Sequence, residues 1–219
     1  MPEPITLLGL SAGMGSLTIY LARRFFEVAK EVFDVVVGFL VFVLCLPLLG
    51  LCAIIIKMSS RGPVFFRQQR VGRSGEVFEM IKLRTMHTER KGAAEPTWTE
   101  ANDPRVISAC RWMRRSHLDE LPQLINVIKG QMSLVGPRPE RPEIVAELEK
   151  ACPEFTRRHM VRPGITGLAQ IRNGYESTTE GAVRKLKADM EYIEKRNWSS
   201  ELRILVGTLP KLFRDDKAR

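Results

Sequence analysis

The segment Leu118-Asp119-Glu120-Leu121-Pro122-Gln123-Leu124 sets two adjacent carboxylates just ahead of a proline. Proline lacks an N–H, and its fixed φ suits the first turn of a helix. Pro122 therefore predicts a helix that starts here, with Asp119 and Glu120 at or just before its N-terminus. The free N–H groups and the helix dipole at that end favour ionised carboxylates. An ionised Asp is a competent nucleophile, and an ionised Glu a competent magnesium ligand. Acidic residues at a helix start are also ordinary capping residues, and the pair alone does not separate the two readings.

The cations around the pair point to an anionic substrate. Arg114 and Arg115 lie one turn upstream. Arg138 stands in Gly136-Pro137-Arg138-Pro139, and Arg162 opens Arg162-Pro163-Gly164-Ile165-Thr166-Gly167. The first of these cannot be regular helix, and both read as Pro/Gly-rich loops. Lys82 and Arg84 alternate with Ile81 and Leu83, so one face of a strand would present both charges. Arg suits bidentate phosphate binding, and Gly164 and Gly167 would let backbone N–H groups approach an anion. Taken singly, each cation is equally a solvated surface charge. There is no GxxxxGK[ST] or GxGxxG string, so a kinase-like or Rossmann nucleotide site is not indicated. The three histidines form no HExxH cluster, and Cys45, Cys52, Cys110 and Cys152 contain no CxxC pair. Neither zinc nor a disulfide framework is expected, and the catalytic part should face a reducing compartment.

These residues need elements to position them. Val35 to Ile56 is a run of 22 residues without a charge. As a helix it would extend about 33 Å, close to the hydrocarbon thickness of a bilayer. Pro47 sits near its middle, where it removes a backbone hydrogen bond and bends the helix. Arg23, Arg24 and Lys30 precede the run, offset by Glu27, Glu31 and Asp34. Lys57, Arg61, Arg67, Arg70 and Arg73 follow it, which puts the following part in the cytoplasm. A kinked span and a re-entrant helix that bends at Pro47 and returns to the same face both fit. Ahead of the run, Leu21, Phe25, Val28 and Val32 make one helical stripe, as in an interfacial or a core helix. Residues 1–19 carry no firm signal.

Val64–Val71 and Glu76–Met86 flank Gly72-Arg73-Ser74-Gly75 and predict a β-hairpin. Lys91–Asn102 reads as a loop. Val106, Cys110 and Met113 are helically spaced. Leu118, Leu121, Leu124, Ile125 and Ile128 continue an apolar stripe that Gly130 would cap. Helices are expected over Pro142–Ala151, along Val183, Leu186, Met190 and Ile193, and along Leu202, Leu205, Leu209 and Leu212. The last stripes would serve the membrane, the core or a second copy of the chain. With 219 residues and a net charge of +9, the chain suits one domain plus an anchor that meets lipid head groups, phosphorylated substrates or nucleic acid.

The ordered strings Gly62-Pro63-Val64-Phe65-Phe66-Arg67-Gln68, Lys82-Leu83-Arg84-Thr85-Met86, Asp103-Pro104-Arg105-Val106, Leu118 to Leu124, Ser133 to Glu140 and Arg162 to Gln170 resemble the bacterial sugar transferases, the monotopic phosphoglycosyl transferases. The likeness runs from about Phe33 to Ile204. It departs from the family at Leu46, where a Ser precedes the bend proline, and at Ile107–Cys110, where Thr-Arg-x-Gly is usual.

The resemblance implies an α+β, mostly helical catalytic domain with a β-hairpin over residues 58–219. Residues 1–57 would hold an interfacial helix and a re-entrant membrane helix bent at Pro47. It implies that Asp119 attacks the β-phosphate of a nucleoside diphosphate sugar, usually a UDP-sugar. UMP leaves, and polyprenyl phosphate then takes the phosphosugar, beginning glycan assembly such as exopolysaccharide or lipopolysaccharide. Glu120 would help hold Mg2+ on the diphosphate. Lys82, Arg84, Arg114 and Arg138 would be anion contacts, and Arg162, Gly164 and Gln170 would help hold the nucleotide. The expected setting is the bacterial cytoplasmic membrane, with the catalytic domain on its cytoplasmic face and no nucleic-acid partner. The competing reading is a non-catalytic, membrane-anchored adaptor or scaffold that binds anionic lipid or RNA and has no need of the Asp-Glu pair.

Overall fold

The computed structural model describes residues 7–87, 103–173 and 179–214. The expected Lys91–Asn102 loop lies outside them. Helix α1 (Leu7–Ser59) runs unbroken through Pro47. It also takes in residues where the sequence carries no firm signal. The structure thus shows one long apolar helix and does not show the expected re-entrant bend. The part from Tyr20 to Ser59 is long and apolar enough to cross a membrane by length and composition.

One face of α1 packs on the globular body. Lys30, Asp34, Gly38, Leu49, Cys52 and Ile56 are buried along it at spacings of about one helical turn or multiples of it. Gly38 lets the helices approach closely there, since a Cβ would lie 3.2 Å from Val127 Cγ1 on the neighbouring helix. The opposite face stays open and apolar, with Val36, Leu40, Leu44, Leu51 and Ile54 exposed.

Strands β1 (Phe65–Val71) and β2 (Val77–Leu83) form the expected antiparallel hairpin, registered from Phe65 opposite Leu83 to Val71 opposite Val77. Ser74 (φ 56°) and Gly75 (φ 81°) turn the chain between them. Helix α2 (Arg111–Arg115) is short, and His117 in the left-handed region (φ 54°) ends it. A 3-10 segment, Leu118–Gln123, leads into α3 (Leu124–Ile128), and Gly130 (φ 73°) closes that helix. The single apolar stripe of the sequence is therefore broken by a 3-10 segment. Pro122 sits inside the tighter turn rather than opening a regular helix.

Helix α4 (Pro142–Ala151) matches its expected bounds. Strands β3 (Ser133–Val135) and β4 (Gly164–Thr166) pair in parallel, which sets the two Pro/Gly loops against each other. The contact is backbone to backbone. A Cβ on Gly164 would fall 2.1 Å from Gly136 N, and one on Gly136 2.5 Å from Arg162 O. Only glycine fits at either position.

Helices α5 (Leu168–Asn173), α6 (Thr179–Lys195) and α7 (Trp198–Arg214) complete the fold. Leu186 and Ile193 of α6 are buried as expected, while the side chain of Val183 is outside the description. On α7 the leucine stripe divides: Leu205 packs against the main core, and the side chain of Leu212 is outside the description. Leu202 and Leu209 are more than half exposed, while Glu201 and Ile204 are buried. Phe78, Met80, Leu124, Val127, Met132, Val135, Tyr192 and Ile204 belong to the main core, against which Phe33 and Val37 of α1 pack.

Candidate active site

The 3-10 segment turns Asp119 and Glu120 into the body, where both are buried. Their surroundings differ. Glu120 Oε1 accepts from Lys82 Nζ at 2.8 Å and from Arg138 Nη2 at 2.6 Å, while Oε2 accepts from Arg138 Nη1 at 3.1 Å. Arg138 thus forms a two-pronged fork on one carboxylate, which Lys82 shares. Burial alone would raise the Glu120 pKa, but the guanidinium and the ammonium outweigh it and hold the carboxyl well below the usual range. Asp119 makes no hydrogen bond or ion pair to a described residue. Burial pushes its carboxyl up from the usual range, opposed by Lys82 and reinforced by the Glu120 charge. Burial also pulls the Lys82 ammonium below the ordinary lysine value, with Glu120 restoring part of it.

One carboxylate is therefore locked as an anion, and its neighbour keeps its oxygens unengaged. The adjacent positions make that division possible. In a tight turn, successive side chains point to different sides, so only Glu120 meets the cations of β2 and of the Pro137–Pro139 loop.

The donor set admits magnesium only in company with a substrate. Mg2+ takes one or two carboxylates and fills its other positions with phosphate or water. Asp119 and Glu120 fit that count. Among the described residues, no group of three or more His, Cys, Asp or Glu forms a metal cage.

The remaining site residues named from sequence divide. Lys82 and Arg138 meet at Glu120. Arg114 reaches Thr85 Oγ1 at 3.4 Å, and its charge is felt at Asp119. Arg84 is spent elsewhere. Its guanidinium donates to Arg61 O at 2.6 Å and Ser60 O at 2.9 Å, tying the chain just after α1. Arg162 faces α1 and pairs with Glu31 at 3.1 Å. The Gly164 N–H donates to Pro137 O at 2.9 Å, and Gln170 Nε2 to Ile165 O at 3.0 Å, so both brace the paired loops. Pro47 is exposed on α1.

Several residues had no place in the site as read from the sequence. Lys30 and Asp34 of α1, Ser133 of β3 and Glu201 of α7 form a buried polar knot. Lys30 Nζ donates to Ser133 Oγ at 2.9 Å and pairs with Glu201 at 2.9 Å and with Asp34 at 3.1 Å. The Ser133 hydroxyl donates to Asp34 Oδ2 at 2.7 Å, and the Tyr192 hydroxyl to Glu201 Oε1 at 2.7 Å. The only signal was a Lys and an Asp spaced one helical turn apart beside an apolar run. Arg70, Arg158 and Lys185 gather behind Arg138. Burial lowers the Lys185 ammonium, with the Glu140 carboxylate opposing it and Arg158 and Arg138 adding to the shift. Of Arg70, Arg158 and Lys185, the sequence drew attention only to Arg70, as one of the cations that follow the apolar run.

Comparison with known proteins finds relatives along most of the chain. Residues 25–215 match the family described as bacterial sugar transferase. Over 200 residues the chain is 40% identical to a UDP-glucose:undecaprenyl-phosphate glucose-1-phosphate transferase of Caulobacter vibrioides, covering 90% of this chain and 74% of that protein. It is 36% identical to a UDP-N-acetylgalactosamine-undecaprenyl-phosphate N-acetylgalactosaminephosphotransferase of Aeromonas hydrophila, covering 88% of this chain and 44% of that one. It is 35% identical to the exopolysaccharide production protein PSS of Rhizobium leguminosarum bv. phaseoli, covering 83% of this chain and 94% of that one. The chain thus spans most of two of these relatives and under half of the other.

Proposed function

Because the chain belongs to the bacterial sugar transferase family, we propose that it moves a sugar-1-phosphate from a UDP-sugar to a polyprenyl phosphate at the cytoplasmic membrane. One observation carries the reading: two adjacent buried carboxylates, one held by Arg138 and Lys82 and the other unengaged. An Asp119 oxygen attacks the β-phosphorus of the nucleotide sugar. The bond from that phosphorus to the bridging oxygen breaks, UMP leaves with the bridging oxygen, and the phosphosugar remains on Asp119. An oxygen of polyprenyl phosphate then attacks the same phosphorus, restoring the Asp119 carboxylate and releasing the polyprenyl diphosphate sugar. Splitting the transfer suits two substrates of opposite solubility, since they need not be bound together.

Lys82 and Arg138 hold Glu120 as an anion beside the attacking oxygen and add positive charge where the phosphoryl oxygens gather. Glu120, together with Asp119 and the diphosphate, would hold Mg2+, which neutralises phosphate charge when bound. The two flanks of the apolar run support a monotopic placement. Lys30 and Asp34 before it, and Cys52 and Ile56 at its C-terminal end, are buried against one globular body. Both ends of the run then stay on one side of the bilayer, with the exposed apolar face of α1 in lipid. A non-catalytic adaptor would not need an unengaged carboxylate next to a cation-locked one.

The test is UMP release from nanodisc-held protein given magnesium, polyprenyl phosphate and a panel that includes UDP-glucose and UDP-N-acetylgalactosamine. Release is expected with at least one sugar and is lost in Asp119→Asn. Full activity of that variant would refute the nucleophile. Cysteines placed at Tyr20 and Ser74 in a cysteine-free background should label from the same side. Labelling from opposite sides would replace the monotopic topology with a full span.

A further inference from the structure

The Pro137-Arg138-Pro139 segment has no regular secondary structure, yet each of its carbonyls is claimed. Gly164 N–H donates to Pro137 O at 2.9 Å, Arg158 Nη2 to Arg138 O at 2.8 Å, and Arg70 Nη1 to Pro139 O at 3.0 Å. Two of the three residues lack an N–H, so the carbonyls are the main handles by which the fold can grip the loop. The middle grip is the most heavily built. Arg158 pairs with Asp189 of α6 at 2.8 Å, with both side chains nearly fully buried, and its guanidinium lies 4.7 Å from the centre of the Phe155 ring.

A buried ion pair is a poor source of stability, because a well-packed apolar pair serves as well. What an apolar pair cannot supply is a donor aimed at the Arg138 carbonyl. We propose that Arg158, oriented by Asp189, is a positioning residue. It fixes the backbone of Arg138 so that the guanidinium keeps its two-pronged hold on Glu120. The proposal deepens the phosphosugar-transfer reading and rests on it for the catalytic consequence. A fork has two bonds to satisfy at once, so a displacement of about 1 Å at its root is enough to cost activity. Arg70 acts in the same way one residue on: it also donates to Gln68 Oε1 at 2.7 Å and pairs more loosely with Glu140 at 3.6 Å.

The experiment is a cycle in the nanodisc-held enzyme with the preferred UDP-sugar. Arg158→Met combined with Asp189→Asn removes both buried charges together, and Arg158→Lys keeps the charge. Each is made in the wild-type and Arg138→Met backgrounds. Thermal unfolding serves as the folding control. In the wild-type background kcat/KM is expected to fall about 30-fold. In the Arg138→Met background the same change should cost less than about twofold, because the clamp acts through a side chain that is gone. Equal losses in both backgrounds would overturn the proposal.

A second readout needs no turnover. Hydrogen exchange should rise in the peptide covering 136–141 when Arg158 and Asp189 are replaced, and Arg158→Lys should restore part of the protection. Unchanged exchange there would overturn the clamp even if activity fell. If the wild type released no UMP while exchange rose as expected, the functional reading would fail and the clamp would stand.

Discussion

Replacing Lys82 with Met tests the division of labour between the carboxylates. Lys82 Nζ lies 2.8 Å from Glu120 Oε1, and the two side chains are 16% and 11% exposed. Removing one partner of a fully buried ion pair costs about 3–5 kcal/mol. Here Arg138 keeps both prongs on Glu120, so the expected loss is that of one hydrogen bond to a charged group, about 2 kcal/mol. The catalytic loss is expected to be larger, about 10²-fold in kcat, as for removing one preorganised charge from a phosphate-binding site.

The pH dependence has a definite sign. Burial raises the Asp119 carboxyl, and Lys82 is the first charge opposing that rise. Without the ammonium, Asp119 holds its proton to higher pH, so the acid limb of UMP release moves up. The stability difference follows Glu120 instead. Its folded pKa is depressed, so its contribution is present above the ordinary glutamate pKa and is lost as pH falls through the folded value. The gap in unfolding free energy between wild type and variant should therefore be full near neutrality and close in acid. Lys82→Arg, which keeps the charge, should recover part of both. UMP release across pH, paired with urea unfolding at the same pH values, is the assay. An acid limb that stays put or moves down would refute the reasoning.

Arg84→Met should cost about 1–2 kcal/mol by leaving the Ser60 and Arg61 carbonyls without their donor, yet leave KM for the sugar nucleotide within about twofold. A tenfold rise in KM would return Arg84 to the substrate site. Lys30→Met strands Asp34 and Glu201 in the interior and should destabilise by about 3–5 kcal/mol in thermal or urea unfolding. A change below about 1 kcal/mol would mean that water reaches the knot. Gly164→Ala places a methyl 2.1 Å from Gly136 N and should cost about 3 kcal/mol and most of the activity, since the Arg138 loop must move. Normal melting and turnover of that variant would show that the loops can part without harm.

The sequence reads best where the deciding physics is local. Hairpin and helix periodicities, the Gly130 cap and the Pro142 start were legible because each depends on a few neighbouring residues. The Leu118–Ile128 stripe misled in one respect. Its apolar spacing suits a helix, but His117 and Pro122 impose a 3-10 segment before α3 begins. The α7 leucines were legible as a stripe, but not that Leu202 and Leu209 would face out while Leu205 packs on the core, because facing depends on what packs opposite, and Glu201 is drawn inward by Lys30.

By itself, the sequence determined that two adjacent carboxylates would lie side by side ahead of Pro122, that loops rich in Pro, Gly and Arg would be stiff, and that an apolar helix would precede the domain. Only the tertiary structure decided what each charge does. Arg138 reaches back 18 positions to Glu120, while Lys30 reaches forward 103 positions to Ser133. Arg84 and Arg162, as cationic as Arg138, are drawn instead to carbonyls just past α1 and to Glu31. Residue type sets the charge a side chain carries. Its partner is set by which groups the fold removes from water together, because a buried charge must be satisfied by whatever is buried beside it.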